Sequence, residues 1–535
     1  MIENYLLWGI GIAFGVMLLV MLGQRIRIAY PIFLTVAGLL ISFIPGLPTF
    51  QVDPSIVFLI FLPPILFEAA WNTSWKDFLR FRRPILGLAF GLVFLTSIVV
   101  AYLSSNMIPG ITVAMGFLLG GINSPPDAVA ATSILKHLKI PKRTLSILEG
   151  ESLINDASSL IVMKFALAAI LTGQFVMQEA IGNFFVMAIM GALVGLVVAF
   201  LLMLIFRILP TTSDIDTIFT LITPYIMYIV AEHFHYSGVL AVVTGGLVMS
   251  YNSNRFQTHT TRIQAVNVWS TIIFLMNAFI FILIGLQMPG IIDEMSPEAI
   301  KSGLGYAVII GGAIVLTRFV WTFTWTYLPP LLFKSIRKKD KHLDWREPFI
   351  LSLAAMRGVV SLAGALAIPL ALPSGEAFPH RDMIIFVTFI IILLTLVGQG
   401  LLLPIILKYI DIKEVGATMS EEEQETRILW KLKRIALHTL DKNYSEEVQK
   451  YSLVNNRKMQ LQADLELLEN RLKCINNSFH GDAVKSVTEI RREIIKEQRK
   501  LLSELRRMDE FDDSVLRKQE LSLDLDEAKI TGFQH

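Results

Sequence analysis

Two short segments hold most of the groups that could do chemistry in an otherwise apolar stretch of chain. The first runs Ser124, Pro125, Pro126, Asp127; the second carries Glu149, Glu151, Ser152, Asn155 and Asp156. An unpaired carboxylate inside a bilayer costs about 3 kcal/mol or more, so Asp156 requires a cavity, a cation or a proton beside it. Glu151, Ser152, Asn155 and Asp156 stand at i, i+1, i+4 and i+5, which at about 100° per residue puts them on one helical face within an arc of about 140°. Carboxylate, hydroxyl and carbonyl oxygens with water suit hard cations such as sodium, lithium and potassium. No His or Cys cluster competes for that reading. Burial disfavours the charged form of a carboxyl, so a proton and a cation can contend for the same group near neutral pH.

Other residues support or frame this pair of segments. Pro125 and Pro126 remove two backbone donors and clash with preceding carbonyls, which predicts a helix broken at mid-membrane with Asp127 at the positive end of its second half. Freed backbone groups are tolerated there only where they line a polar cavity or are buried in protein. Arg357, between apolar stretches and next to Gly358, stays protonated and needs a fixed anion; Glu151 is the first choice and Asp127 the second. Glu68 follows Pro63 and Pro64 and stands near Trp71 and Lys76, where it can mark the mouth of an inward funnel. Lys164 and Arg318 also lie inside apolar runs, and packing, or pairing with Glu232 or Asp127, explains them without a transport role. His233 and His235, at i and i+2 near a helix end, are given no metal or pH-sensing role.

The elements that must position these residues follow from composition. With 54% hydrophobic residues and a mean hydropathy of +0.59, the 535-residue chain is too apolar for water as its only solvent. Runs of roughly 18 to 25 apolar residues cross a bilayer as helices. Thirteen such runs are centred near Phe14, Ala37, Leu62, Phe94, Asn123, Ser158, Leu193, Tyr225, Thr244, Asn277, Ile314, Val359 and Leu394. The first, from Tyr5 to Leu22, reads as a retained helix because no basic stretch precedes it and no small-residue cleavage site follows. Lys and Arg fall nineteen to two in alternate sets of short loops. That asymmetry puts the N-terminus outside and the C-terminal region in the cytoplasm. An odd number of spans with this polarity fits two six-helix units of opposite orientation joined by the seventh span, a plan common among secondary transporters. The expected fold is an all-α integral membrane protein of about thirteen transmembrane helices over residues 1–410, followed by a water-exposed helical region over residues 411–535.

Taken together, Ser124-Pro-Pro-Asp-Ala-Val-Ala-Ala131, Glu149-Gly-Glu-Ser-Leu-Ile-Asn-Asp156, Ala231-Glu-His233 with Ser237-Gly238, and Arg357-Gly-Val-Val-Ser361 resemble the NhaP-like sodium/proton exchangers of the first monovalent cation:proton antiporter family. The resemblance covers residues 1 to about 410. It implies thirteen spans in an inverted six-plus-one-plus-six plan, crossed broken helices in spans five and twelve, and a homodimer. It makes Asp156 the carrier of cation and proton. Asn155 stands beside it in the Asn-Asp pair typical of exchange of one cation for one proton. Asp127 and Ser152 are implied as further cation ligands, Glu68 as a water-mediated one, and Glu151 with Arg357 as a structural ion pair. Many relatives carry threonine before the span-five aspartate; Pro126 stands there instead and offers no side-chain hydroxyl.

The implied activity is exchange of sodium, with lithium or potassium as further substrates, for protons across a bacterial inner membrane. It is driven by the opposing ion gradient. No glycine-rich phosphate loop with its following lysine is present, and no nucleotide, nucleic acid or cofactor is expected. The single cysteine, Cys474, excludes a disulfide framework and a four-cysteine metal site. A passive cation channel would use similar acidic residues but needs no carboxylate shared between cation and proton. An intramembrane aspartyl protease would need a Gly-x-Gly-Asp element, absent around Asp127 and Asp156.

From Glu421 to about Asp526 the chain is charged and helix-favouring. Leu461, Leu465, Leu468, Leu472 and Ile475 form a heptad seam. A second stripe, Val487, Ile490, Ile494, Leu501, Leu505 and Met508, comes after a break at Asn476 to Gly481. A helical hairpin or short coiled coil is expected.

Overall fold

The computed structural model describes the chain except residues 1, 27–28, 45–56, 136–139, 174–176, 210, 294, 333–343, 373–374, 411–420, 477–480 and most of 506–535. Among the described residues the regular structure is helical, with one isolated bridge between Ala371 and Ala377. Two compact units result, Met1–Val415 and Gly416–His535.

In the first unit the helices are α1 (Ile2–Ile26), α2 (Tyr30–Ser42), α3 (Leu62–Asn72), α4 (Trp75–Arg80), α5 (Arg82–Met107), α6 (Val113–Asn123), α7 (Ala128–Leu135) and α8 (Lys142–Thr172). They continue as α9 (Met177–Ile208), α10 (Ser213–His233), α11 (Gly238–Phe256), α12 (His259–Leu286), α13 (Pro297–Leu332), α14 (Arg346–Leu353), α15 (Val359–Leu366) and α16 (Arg381–Tyr409). Each of the thirteen predicted centres falls on one of these helices. Seven helices among the described residues are long and apolar enough to cross a membrane. Among the others, Pro63 and Pro64 shorten α3, and breaks shorten α6 and α15.

Local chemistry explains where the helices start and how closely they pack. Thr112, Thr212, Ser237 and Thr258 cap α6, α10, α11 and α12 by accepting a hydrogen bond from the amide three residues on. Gly116 and Gly120, four apart on α6, lie against α5; a Cβ on either would come within 2.7 Å of the Cα of Ala101 or Ser97. Gly191 and Gly195 do the same for α9 against α11, where a Cβ on Gly195 would overlap the Ala241 carbonyl oxygen. Small residues at this spacing let helix backbones touch where no hydrophobic force separates protein from lipid. Pro64 has no N–H for the carbonyl of Ile60, and Tyr225 Oη donates to that oxygen at 3.0 Å. A π-turn over Val57–Phe61 leads into α3 at this point.

The second unit contains α17 (Glu421–Asn443), α18 (Ser452–Asn476) and α19 (Gly481–Leu505). α17 and α18 form an antiparallel hairpin. Trp430 Nε1 donates to Glu469 at 3.0 Å, Lys433 pairs with Asp464 at 2.6 Å, and Lys458 pairs with Asp441 at 2.7 Å. The seam beginning at Leu461, itself 4% exposed, therefore packs on the preceding helix α17. The second stripe falls on α19, yet Ile490, Ile494 and Leu501 on it are exposed whereas Ile495 is buried. Met508 and the side chains of Cys474, Ile475 and Val487 lie outside the described residues.

Candidate functional site

Two helices are interrupted, and the interruptions meet. α6 ends at Asn123 and α7 begins at Ala128, while α14 ends at Leu353 and α15 begins at Val359. The amide of Asp127 donates to the carbonyl of Met356 at 2.6 Å, joining one break to the other. The first break leaves carbonyls without helical donors, and neighbours supply them. Gly121 O, which Pro125 cannot serve, accepts from Ser124 Oγ at 3.0 Å. Asn123 O accepts from Arg357 Nε at 3.2 Å.

Asp127 and Arg357 sit at opposite poles of this junction. Asp127 Oδ1 accepts from the amides of Val129 at 2.8 Å and Ala130 at 3.4 Å, and its carboxylate also meets the amide of Val359. One anion thus caps the N-termini of both α7 and α15, where the helix dipole is positive. Arg357 Nη1 donates to Ala355 O at 2.8 Å in addition to Asn123 O, so one cation serves the carbonyl ends of α6 and α14. The approach is tight: a Cβ on Gly358 would overlap Asp127 Oδ2, so any side chain there displaces the carboxylate.

α8 passes beside the junction and splits its polar residues between two neighbours. Ser152 and Asp156, together with Glu149, border a cavity of about 1030 Å³ that also meets Glu68, Asp127 and Ser361. Asp156 is 7% exposed and close enough to Asp127 for their charges to interact. Glu151 and Asn155, one residue earlier in each case, turn away from the cavity. Asn155 Nδ2 donates to Pro126 O at 3.5 Å, tying α8 to the first break. The shared arc of about 140° is wide enough to face both sides.

Glu151 does not take Arg357 as its partner. Arg318, on α13, donates through Nη1 to Glu151 Oε1 at 2.6 Å and through Nη2 to Oε2 at 2.9 Å, with both side chains 1% exposed. Arg318 Nε and Nη2 also reach Leu351 O at 3.0 and 2.9 Å, closing the last turn of α14. The reason is geometric: a planar guanidinium can grip a carboxylate with two parallel donors, whereas Arg357 spends its donors on carbonyls that the breaks leave bare. Arg318 also departs from the expected pairing with Glu232 or Asp127. Lys164 does pair with Glu232, its Nζ 2.8 Å from Oε2.

The five charges grouped about the breaks are Asp127, Glu151, Asp156, Arg318 and Arg357, a formal net of one negative charge. The cavity reaches toward Gln24, Asn72, Thr132 and Glu149, which stand at the helix ends bearing the basic loops. Glu68 is at that mouth and accepts from Asn72 Nδ2 at 2.5 Å. Sequence reading noted Glu149, Gly358 and Ser361 without giving them a place in the site, and gave none to Tyr30 or Asn277; all five line the cavity. For Glu149 the signal was available, since 149, 152 and 156 stand at i, i+3 and i+7 on one stripe. The others come from distant segments and share no spacing.

A family model for the transmembrane part of sodium/hydrogen exchangers matches residues 11–409. A sodium, potassium, lithium and rubidium/proton antiporter from Bacillus pumilus is 32% identical over 436 residues, 79% of this chain and 64% of its own length. Its namesake from Bacillus subtilis is 34% identical over 392 residues, 71% of this chain and 58% of its own length. The chain therefore spans less than two thirds of either Bacillus antiporter. An uncharacterized sodium/proton exchanger from Escherichia coli, YjcE, is 35% identical across 70% of this chain and 71% of its own length. The solved structure of the sodium proton antiporter MjNhaP1 from Methanocaldococcus jannaschii covers 76% of this chain and 99% of its own at a TM-score of 0.59; with 18% identity this is a likeness of fold. The match over residues 11–409 and these identities place this membrane-spanning chain in the sodium/hydrogen exchanger family.

Proposed function

We propose that the protein exchanges a monovalent cation, sodium first with lithium and potassium as further candidates, for a proton, one for one, by competition at Asp156. The observation that carries this reading is a carboxylate pair, buried Asp156 and half-buried Asp127, lining a large cavity beside an unwound helix junction. Two neighbouring carboxylates are stabilised by a cation between them or by protonation of one. Ser152 supplies a hydroxyl, carbonyls of the unwound stretch replace the threonine hydroxyl that Pro126 lacks, and Glu68 acts through water at the mouth. Asn155 holds the junction rather than the ion, consistent with its bond to Pro126 O.

Charge arithmetic supports electroneutral exchange. The cluster of five carries one net negative charge; one bound cation or one proton makes it neutral. A neutral core can move through a low-dielectric barrier, whereas the empty, ionised form is held back. Only loaded forms then cross, which couples the two fluxes. The same reading includes thirteen spans arranged as inverted six-helix units about a linking seventh, a homodimer, a bacterial inner-membrane location with the N-terminus outside, and a cytoplasmic helical region after residue 410. On that orientation the large cavity opens to the cytoplasm.

The test is proton movement in everted vesicles from an antiporter-deficient strain, followed with a pH-sensitive dye as NaCl, LiCl or KCl is added. Wild type is expected to dissipate the pH gradient with at least one cation, while Asp156→Asn, inserted to the same level, does not. The apparent affinity for the cation should weaken in proportion to proton concentration on the acid side, as competition for one group requires. Cation flux that persists without proton movement would instead establish a channel.

A further inference from the structure

A second, smaller cavity of about 220 Å³ lies on the other side of Asp156 from the large one. It begins about 6 Å along α8, at Leu160, and continues past Met163 and Lys164 to Leu167. Its walls come from helices that bear the site, through residues such as Gly364 after the second break, and from α9, α10 and α11, through Met187, Tyr228 and Val239. Phe58, in the π-turn before α3, borders both cavities.

An ion pair stands on the wall of this second cavity. Lys164 Nζ lies 3.1 Å from Glu232 Oε1 and 2.8 Å from Oε2, so the ammonium bridges α8 to the last turn of α10. Glu232 is fixed on its own side, since Oε1 also accepts the amide of Gly238 at 3.3 Å at the start of α11. Among the described residues the Lys164 ammonium bonds only to Glu232, and it rides on the helix that carries Asp156.

We propose that the second cavity is the far half of the ion path and that Lys164–Glu232 is its latch. This deepens the exchange reading and rests on it. A carrier must open its site to one side at a time, and here Asp156 lines the large cavity and not the small one, with Phe58 bordering both and the ion pair on the wall of the small one. A lysine on that wall also repels an approaching cation. When α8 shifts, Lys164 leaves and the anchored Glu232 remains as the first carboxylate a cation meets. The pair is partly exposed, with side chains 48% and 33% accessible, so its strength is modest and reversible, as a gate requires.

The test uses the full chain in proteoliposomes with Cys474→Ser and the pair Lys164→Cys and Glu232→Cys, joined by a short cleavable bifunctional thiol reagent. Cross-linking is expected to slow cation-coupled proton movement by about tenfold or more, and cleavage to restore it, because the step that opens the far side is blocked. Exchange at the same rate while cross-linked overturns the latch. If the double-cysteine protein is inactive before cross-linking, Lys164→Met decides. It should lower the apparent KM for cation presented from the side away from the basic loops by about two- to fivefold, while the KM from the basic side does not fall. Equal changes from both sides, or none, overturn the proposal. If wild type in the same preparation moves no protons with any cation, the exchange reading fails first and the latch falls with it.

Discussion

Glu151→Gln removes the anion that faces two guanidinium groups in the core, and its cost can be worked from the structure. Both Glu151 and Arg318 are 1% exposed and joined by two hydrogen bonds of 2.6 and 2.9 Å. Breaking a buried pair on one side costs about 3–5 kcal/mol, because the remaining charge is left without compensation in a low-dielectric interior. Replacing both partners with apolar residues removes that penalty, so Glu151→Met with Arg318→Met should recover much of the loss. It will not recover all of it: Leu351 O loses two donors from Arg318, costing about 1–3 kcal/mol when buried. A double-mutant cycle on unfolding free energy in mixed micelles should therefore give a coupling of about 2 kcal/mol or more for Glu151 with Arg318. The corresponding cycle with Arg357 should give less, since Arg357 interacts with Glu151 only through the field and not through a hydrogen bond. A larger coupling to Arg357 than to Arg318 would refute the assignment.

Gly358→Ala places a methyl where Asp127 Oδ2 now lies, so the carboxylate must move. Displacing a site group by about 1 Å can cost about 10²-fold in rate, and cation-dependent proton movement at matched protein level should fall accordingly; an unchanged apparent affinity would mean Asp127 is not a ligand. Tyr225→Phe loses one hydrogen bond to the carbonyl that Pro64 leaves without a donor. Thermal unfolding in detergent should show a loss of about 0.5–1.5 kcal/mol, with exchange retained.

The tail forms a helical hairpin, as expected, but with a partner that the heptad seam does not name. A heptad seam states that Leu461 and its successors will be covered, but not by which helix. The ion pairs Lys433–Asp464 and Lys458–Asp441 favour the antiparallel partner immediately upstream. The stripe on α19 keeps Ile490, Ile494 and Leu501 exposed, so apolar spacing alone overstated how much of that face is buried.

Much about the membrane unit is set by the sequence alone, because it depends on local physics. Hydrophobic length places helices, adjacent prolines at 125 and 126 break one, and an aspartate placed just after that break caps the helix beyond it. The one-sided arrangement of Glu149, Ser152 and Asp156 is a matter of helical pitch, and the three do line one cavity. Pairing is different. Whether Glu151 meets Arg318 or Arg357 depends on which helix passes α8 at that height and on how many bare carbonyls compete for each guanidinium. Residues 151, 318 and 357 lie on three separate segments, and no spacing connects them. The second break at Ala354–Gly358 shows the same limit. It contains no proline, and its unwound backbone is satisfied by groups that only the folded bundle brings near: Asp127 for its carbonyl at Met356, and Thr395 for the amide of Arg357, at 3.1 Å. Local sequence determines where charge and broken backbone occur in this chain; the tertiary packing decides which of them neutralise one another and which are left facing the cavity.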